Sequence, residues 1–410
     1  MTIPVSTEIE LDPFASEYLD DPYPSYPKLR EKPPFYEPGL DMWVVARFAD
    51  VDAVFRDPAR FSAAIAQDPL TPLSADARTI LAAGFRPPKV MSNADPPEHG
   101  RIRAHTMRAF SARRMAVLEP VIRARTAALI DAFAASAEVD IVRALTFPLP
   151  AITIFTMIGF PDDDLDQLKA WCGDRLSMTW GRPEPADQVR VAHQMVAYWN
   201  YCEAFVERRA GEPADDFTSD LLRTAGEDGT LSHREIASII YGLSFAGHET
   251  TTNLIANTLR RVLESDGLWD ALRTDHALIP NLVEEALRHD TSVVSWRRIA
   301  REATDVGGVP VPAGAKLLLL LASANHDPGR FPDPERFDPY RANARGHIAF
   351  GMGIHYCLGA ALARLQVAIV LELLSARFPH LRLREAQRYT FAPNISFRGP
   401  TALWLVLGGA

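Results

Sequence analysis

Cys357 closes the segment Phe350-Gly351-Met352-Gly353-Ile354-His355-Tyr356-Cys357-Leu358-Gly359. Phe, Gly, Cys and Gly stand there with two, three and one residues between them. From this composition the four letters would meet by chance in about 5 of 10,000 such chains, so the spacing carries meaning. A thiolate presented this way is built to hold iron. The glycines let backbone amides approach the sulfur and let a flat group lie against the loop. Residues 360–364 propagate a helix whose N-terminal amides and dipole are expected to favour a thiolate at Cys357 and lower its pKa. Cys172 and Cys202 read instead as small buried hydrophobes.

A second constellation is Ala246-Gly247-His248-Glu249-Thr250. A mid-helix threonine hydroxyl can bond back to the carbonyl four residues earlier, here Ala246. That carbonyl lies beside Gly247, the place where the helix is most apt to widen. Glu249 is an acid in an otherwise apolar stretch. His248 is turned about 100° per residue step from its neighbours and is read as no ligand. His99 and Arg103 are four apart and share a helix face. Arg297 and Arg298 are adjacent cations of which one is available for a ligand.

These residues need elements to position them. Residues 1–40 are rich in Pro, Asp and Tyr and read as a surface-wrapping segment. Residues 42–47 read as a strand, and 63–97 as a long loop holding a short helix near 76–83. From about residue 98 the apolar spacing is helical. Residues 180–185 and 211–216 break helix. Ser232-His233-Arg234-Glu235 is a capping box. The helix it opens can run to Glu264, about 45 Å, long enough to cross a domain. The run at 317–322 reads as a buried strand. No repeat or linker interrupts the chain. The expectation is one large domain, 1–410, mainly α with small β-sheets.

Net charge is -9 over 410 residues, which gives no general attraction for nucleic acid or an anionic membrane. No signal pattern or membrane-length apolar run stands out. The chain reads as a cytoplasmic protein without disulfide or zinc framework, having three cysteines and no CxxC pair.

The Phe350–Gly359 segment resembles the heme-binding loop of cytochrome P450 monooxygenases. Three further motifs stand in that family's order: Ala246–Thr250, Glu285-Ala286-Leu287-Arg288, and Phe331-Pro332-Asp333-Pro334-Glu335-Arg336-Phe337. The resemblance covers nearly the whole chain. Met178-Thr179-Trp180-Gly181-Arg182-Pro183 and Asn394-Ile395-Ser396-Phe397-Arg398-Gly399-Pro400 look like bacterial self-sufficient members, whose heme domain is fused to a reductase. The chain would then be a stand-alone relative or a heme domain cut from a longer protein.

The resemblance implies a P450 fold with a long central helix above heme b, and Cys357 as the iron's axial ligand. His99, Arg103, Arg298 and His355 would bind the heme propionates. Phe350, Gly351, Gly359 and Ala246 would line the macrocycle. Thr250 and Glu249 would be the alcohol and acid that deliver protons to oxygen. Glu285, Arg288 and Arg336 would form a buried structural network. Leu243, Ala246, Thr250, Val293, Val294, Ser295 and Ile395 would wall the substrate pocket, with no obvious charged anchor. That favours a small or medium apolar substrate, aromatic compounds included, and the resemblance implies its hydroxylation or O-dealkylation. Electrons would come from a ferredoxin-type donor (or a fused reductase). Arg108, Arg113, Arg114 and Arg364 are candidates for its docking patch. Two other readings are a peroxide-driven peroxygenase on the same fold and a non-enzymatic heme-thiolate sensor.

Overall fold

A computed structural model describes residues 11–228 and 231–408. The first ten residues of the wrapping segment lie outside that range. Five short strands form the main sheet: β1 (Phe35–Glu37), β2 (Met42–Val45), β3 (Phe61–Ser62), β4 (Trp296–Ala300) and β5 (Lys316–Leu319). Their order is β1-β2-β5-β4-β3. Only β2 and β5 run parallel, with Trp43 opposite Leu317. In β4, Arg297 pairs with Leu318 and Arg298 with Leu317. Side chains alternate along a strand, so the two arginines face opposite ways.

The strand expected at 317–322 ends at Leu319, and a helix takes over at Leu321–Asn325. A run of leucines has no period, so a strand and a buried helix read alike. The short helix expected at 76–83 spans Ala75–Gly84, with the Ser74 side chain accepting from Ala77 N–H.

Six helices frame the site: α1 (Glu98–Ala109), α2 (Leu165–Trp180), α3 (His233–Ala246), α4 (Glu249–Glu264), α5 (Ile279–His289) and α6 (Ala360–Arg377). Ser232 and Glu235 form the expected capping box at the start of α3. The single long helix expected here is two helices, parted at Gly247 and His248. The Gly247 N–H still reaches the Leu243 carbonyl at 2.9 Å, and His248 N–H donates to Phe245 at 3.3 Å. A Cβ on residue 247 would meet Ile154 Cγ1 at 2.8 Å, so glycine lets this turn press on the Pro148–Ile158 helix. The break falls where the sequence placed a widening.

Helices α4, α5 and α6 and the helix Ala112–Phe133 pack together around the largest apolar cluster. Cys172 and Cys202 are part of that cluster, 3% and 0% exposed. No helix among the described residues is long and apolar enough to cross a membrane.

Candidate active site

The cysteine loop is folded by its own backbone. Cys357 N–H donates to the Phe350 carbonyl at 3.0 Å, and Gly351 N–H to the Ile348 carbonyl at 2.9 Å. Gly353 has φ +69°, and an added Cβ would stand 2.6 Å from the Phe55 carbonyl. Only glycine satisfies both demands. Gly351 has φ +68° with open space on its Cβ side. Cys357 is partly buried just ahead of α6, and a Cβ on Gly359 would lie 3.9 Å from its sulfur.

Burial pushes the Cys357 thiol up, while the Gly359 N–H, Arg103 and Arg364 pull it down. The lowered pKa expected from the helix start is therefore not met in the free chain, because desolvation outweighs the dipole. A coordinating metal removes that proton outright.

Four nitrogen-bearing side chains converge near this loop. His99 and Arg103 come from α1, Arg298 from β4, and His355 from the loop itself. The His99 and His355 rings lie 4.2 Å apart. Burial, then the charges of Arg298 and His99, pushes His355 down to about 3. Burial and then Arg103 also lower His99. Arg298 is 2% exposed, lies 5.0 Å over the Phe55 ring, and donates to the Arg297 carbonyl at 2.8 Å. Arg103 donates to the Tyr356 carbonyl at 2.7 Å.

The nearest acid, Asp95, is engaged elsewhere. It accepts from Ala63 N–H and Ser62 Oγ and pairs with Arg301. Its carbonyl accepts from His99 N–H, which seats the first turn of α1. Arg297, the alternative to Arg298, is spent on the carbonyls of Ala66, Asp68 and Thr179.

The His99 Nε2 is buried without a partner. A buried polar atom is rarely left so. Excess positive charge, an orphan imidazole nitrogen, open space beside Gly351 and an adjacent thiol together fit a flat dianionic iron macrocycle. His99, Arg103, Arg298 and His355 would hold its carboxylates, and Cys357 its metal.

At the helix break, Thr250 Oγ1 donates to the Ala246 carbonyl at 2.8 Å, the bond expected from its spacing. Ala246 is exposed and Leu243, Glu249 and Thr250 are half-buried, although most of α4 beyond them is fully covered. Burial raises the Glu249 carboxyl to about 7. His248 turns away and meets the Phe147 carbonyl through Nε2 at 3.1 Å. It packs on the Phe147 ring, and burial lowers it to about 4.

The other expected wall positions divide. Val293 is half-buried. Val294 and Ile395 are 6% and 3% exposed inside an apolar cluster with Trp180, Phe245 and Phe397. Ser295 is 1% exposed and donates to the Ile395 carbonyl at 2.5 Å.

The buried network behind the loop differs in one member. Glu285 takes both Arg288 nitrogens, at 2.8 and 2.7 Å. Its second arginine is Arg341, whose Nε lies 3.1 Å from each oxygen. Arg336 is exposed and gives only its carbonyl, to Arg288 and Arg341. No short-range pattern marks Arg341, since the loop that returns it to Glu285 is irregular. Of the docking arginines, Arg114 is tied to Asp220 and Asp215, and Arg364 to Glu284. Arg108 and Arg113 are exposed.

Sequence reading also passed over Arg175 on α2. Its one signal was a charge three residues after the buried Cys172, on the inward face of an otherwise apolar turn.

Residues 271–391 match the cytochrome P450 family. The monooxygenase PikC of Streptomyces venezuelae is 35% identical over 404 residues, covering 96% of this chain and 93% of that protein. The chain belongs to the cytochrome P450 family. It is a P450 monooxygenase, an oxidoreductase, and the family's heme b is the group that the converging residues fit. The structure of cytochrome P450 CREJ in complex with (4-ethylphenyl) dihydrogen phosphate superposes with a TM-score of 0.93 at 40% identity, covering 97% of this chain and 99% of that one. An intact type IV self-sufficient P450 superposes at 0.94 with 38% identity, and this P450 covers 54% of that longer chain. Solved neighbours therefore include heme domains of the self-sufficient kind.

Proposed function

We propose that this P450 inserts one atom of dioxygen into a small or medium apolar, aromatic substrate, by hydroxylation or O-dealkylation. Electrons come from a separate ferredoxin and its reductase, in the cytoplasm, and residues 1–410 act as one heme domain. The observation that carries the reading is the acid–alcohol pair at the helix break. Glu249 is a carboxyl poised near neutrality, one residue from the hydroxyl that faces the open turn at Ala246.

Bound heme supplies the activation of dioxygen. Glu249 holds a proton at working pH and passes it inward from solvent, as a general acid must. Thr250 turns from the Ala246 carbonyl, so that Oγ1 accepts the Glu249 proton as its own hydroxyl proton passes onward into the site. Cys357 would hold the iron, while the charges of Arg103 and Arg298 and the neutral imidazoles of His99 and His355 would orient the group's carboxylates. The apolar wall around Phe245, Trp180 and Phe397 excludes water. CREJ was solved with an aryl phosphate, which supports an aromatic substrate here. Exposed Met107 and Tyr356, with Arg108 and Arg113, offer a mixed apolar and basic surface on the cysteine side for the electron donor.

The test is turnover with a surrogate ferredoxin system. Thr250→Ala is expected to cut product per NADH at least fivefold, with peroxide released instead. Equal coupling in the two proteins, or faster turnover with added peroxide than with NADH, would favour the peroxygenase reading.

A further inference from the structure

Arg175 differs from the other inward-facing arginines. Arg288, Arg341 and Arg260 each meet a buried carboxylate. Arg297 gives its Nη2 to three backbone carbonyls, although its Nε too is buried without a partner. Arg175 has one hydrogen bond, from Nη2 to Gln67 Oε1 at 3.1 Å. Its Nε is buried with no partner, and no carboxylate pairs with it among the described residues. The guanidinium lies 4.8 Å over the Tyr241 ring and 5.1 Å over Phe245, both on α3. Gln67 is itself fixed, since its Nε2 donates to Ser92 Oγ at 3.1 Å.

This arrangement holds a cation firmly without neutralising it. The two rings and one neutral acceptor offset part of the desolvation cost. They leave donors of the planar fork unused, and that fork matches an oxyanion. The location is equally informative. Phe245 precedes Ala246, the exposed residue at the helix break. Thr250 is five residues beyond Phe245, roughly 8 Å along a helix axis. The guanidinium thus lies over the last turn of α3, next to the helix break.

We propose that Arg175, with Gln67 beside it, anchors an oxyanion on the substrate, and that this P450 takes a small ring-bearing compound with one carboxylate or phosphate ester. The charged end sits at Arg175 and the apolar end points toward Ala246 and Thr250. The inference rests on the monooxygenase reading of the same site and gives its ring-bearing substrate a charged end in place of a wholly apolar one.

The test is calorimetric titration of the purified holoenzyme with 4-methoxybenzoate, 4-methoxyphenyl phosphate and the uncharged 4-methoxybenzamide. Wild type is expected to bind at least one oxyanion tenfold or more tighter than the amide, with the preference shrinking as salt rises. The order of carboxylate and phosphate names the natural headgroup. Arg175→Gln should bring that oxyanion to the amide's level while moving the amide less than twofold. Arg175→Lys should recover only part of the preference, because a point charge replaces the fork. Equal affinities in wild type, or an equal loss for all three ligands in Arg175→Gln, would overturn the anchor. The reduced carbon monoxide spectrum of the same samples separates the two failures. A thiolate-type band without oxyanion preference sinks the anchor alone, whereas oxyanion preference without that band keeps the anchor and sinks the monooxygenase reading.

Discussion

Glu249 shows what a single buried acid contributes. Its carboxyl rises from 4.5 to about 7 because the protein takes it out of water. Between pH 4.5 and 7 the folded chain therefore keeps a proton that the unfolded chain has lost. Stability must fall as pH rises through that window and level off above it. Glu249→Gln removes the titration. The wild type's melting temperature, relative to that variant, should drop steadily from pH 4.5 to 7; a pH-independent difference would show that the acid is not buried. At this scale the sequence was informative where chemistry dictates residue type. Spacing singled out Cys357 and the Glu249–Thr250 pair, whereas His99 drew its role only from the resemblance. The choice between Arg297 and Arg298 was not, since it turns on which face of β4 each side chain leaves. Arg175 escaped because its meaning lies in partners far away in the chain, Gln67, Tyr241 and Phe245.

Between elements, the structure reveals how α5 is locked to the irregular segment before the cysteine loop. Glu285 is fully buried between Arg288 and Arg341, and its Oε1 also accepts from Asp338 N–H at 2.9 Å. Removing one member of a buried, hydrogen-bonded ion network strands the others and costs about 3–5 kcal/mol. Glu285→Gln should therefore lower the denaturation midpoint markedly and loosen heme retention, whereas Arg336→Ala should leave both near wild type. A large loss from Arg336→Ala would restore the network expected from sequence. That expectation failed for a physical reason. Motif order identifies the segment that approaches Glu285, but only its three-dimensional return path decides which arginine arrives side chain first. The helix break had the opposite character. Gly247 beside a back-bonding threonine announced a local irregularity, but not that His248 would turn its N–H to Phe245 while its carbonyl opens a second helix by accepting from Thr252 N–H at 3.0 Å.

Across the whole molecule, the fold brings together groups from distant parts of the chain. Residues at 99, 103, 298, 355 and 357 meet around one space. Composition and periodicity were enough for the class of fold, mainly helical with small sheets. Motif order supplied the arrangement. Sheet register was out of reach, since strands of two to five residues carry too little pattern to choose partners. Every assigned role assumes that sulfur at position 357 is the axial donor. The most direct measurement is the carbon monoxide difference spectrum of the reduced, heme-loaded protein beside its Cys357→His variant. The account predicts the long-wavelength band of a thiolate-bound iron in the wild type and its loss in the variant. An imidazole-type band in the wild type, or the same long-wavelength band in both proteins, would contradict it.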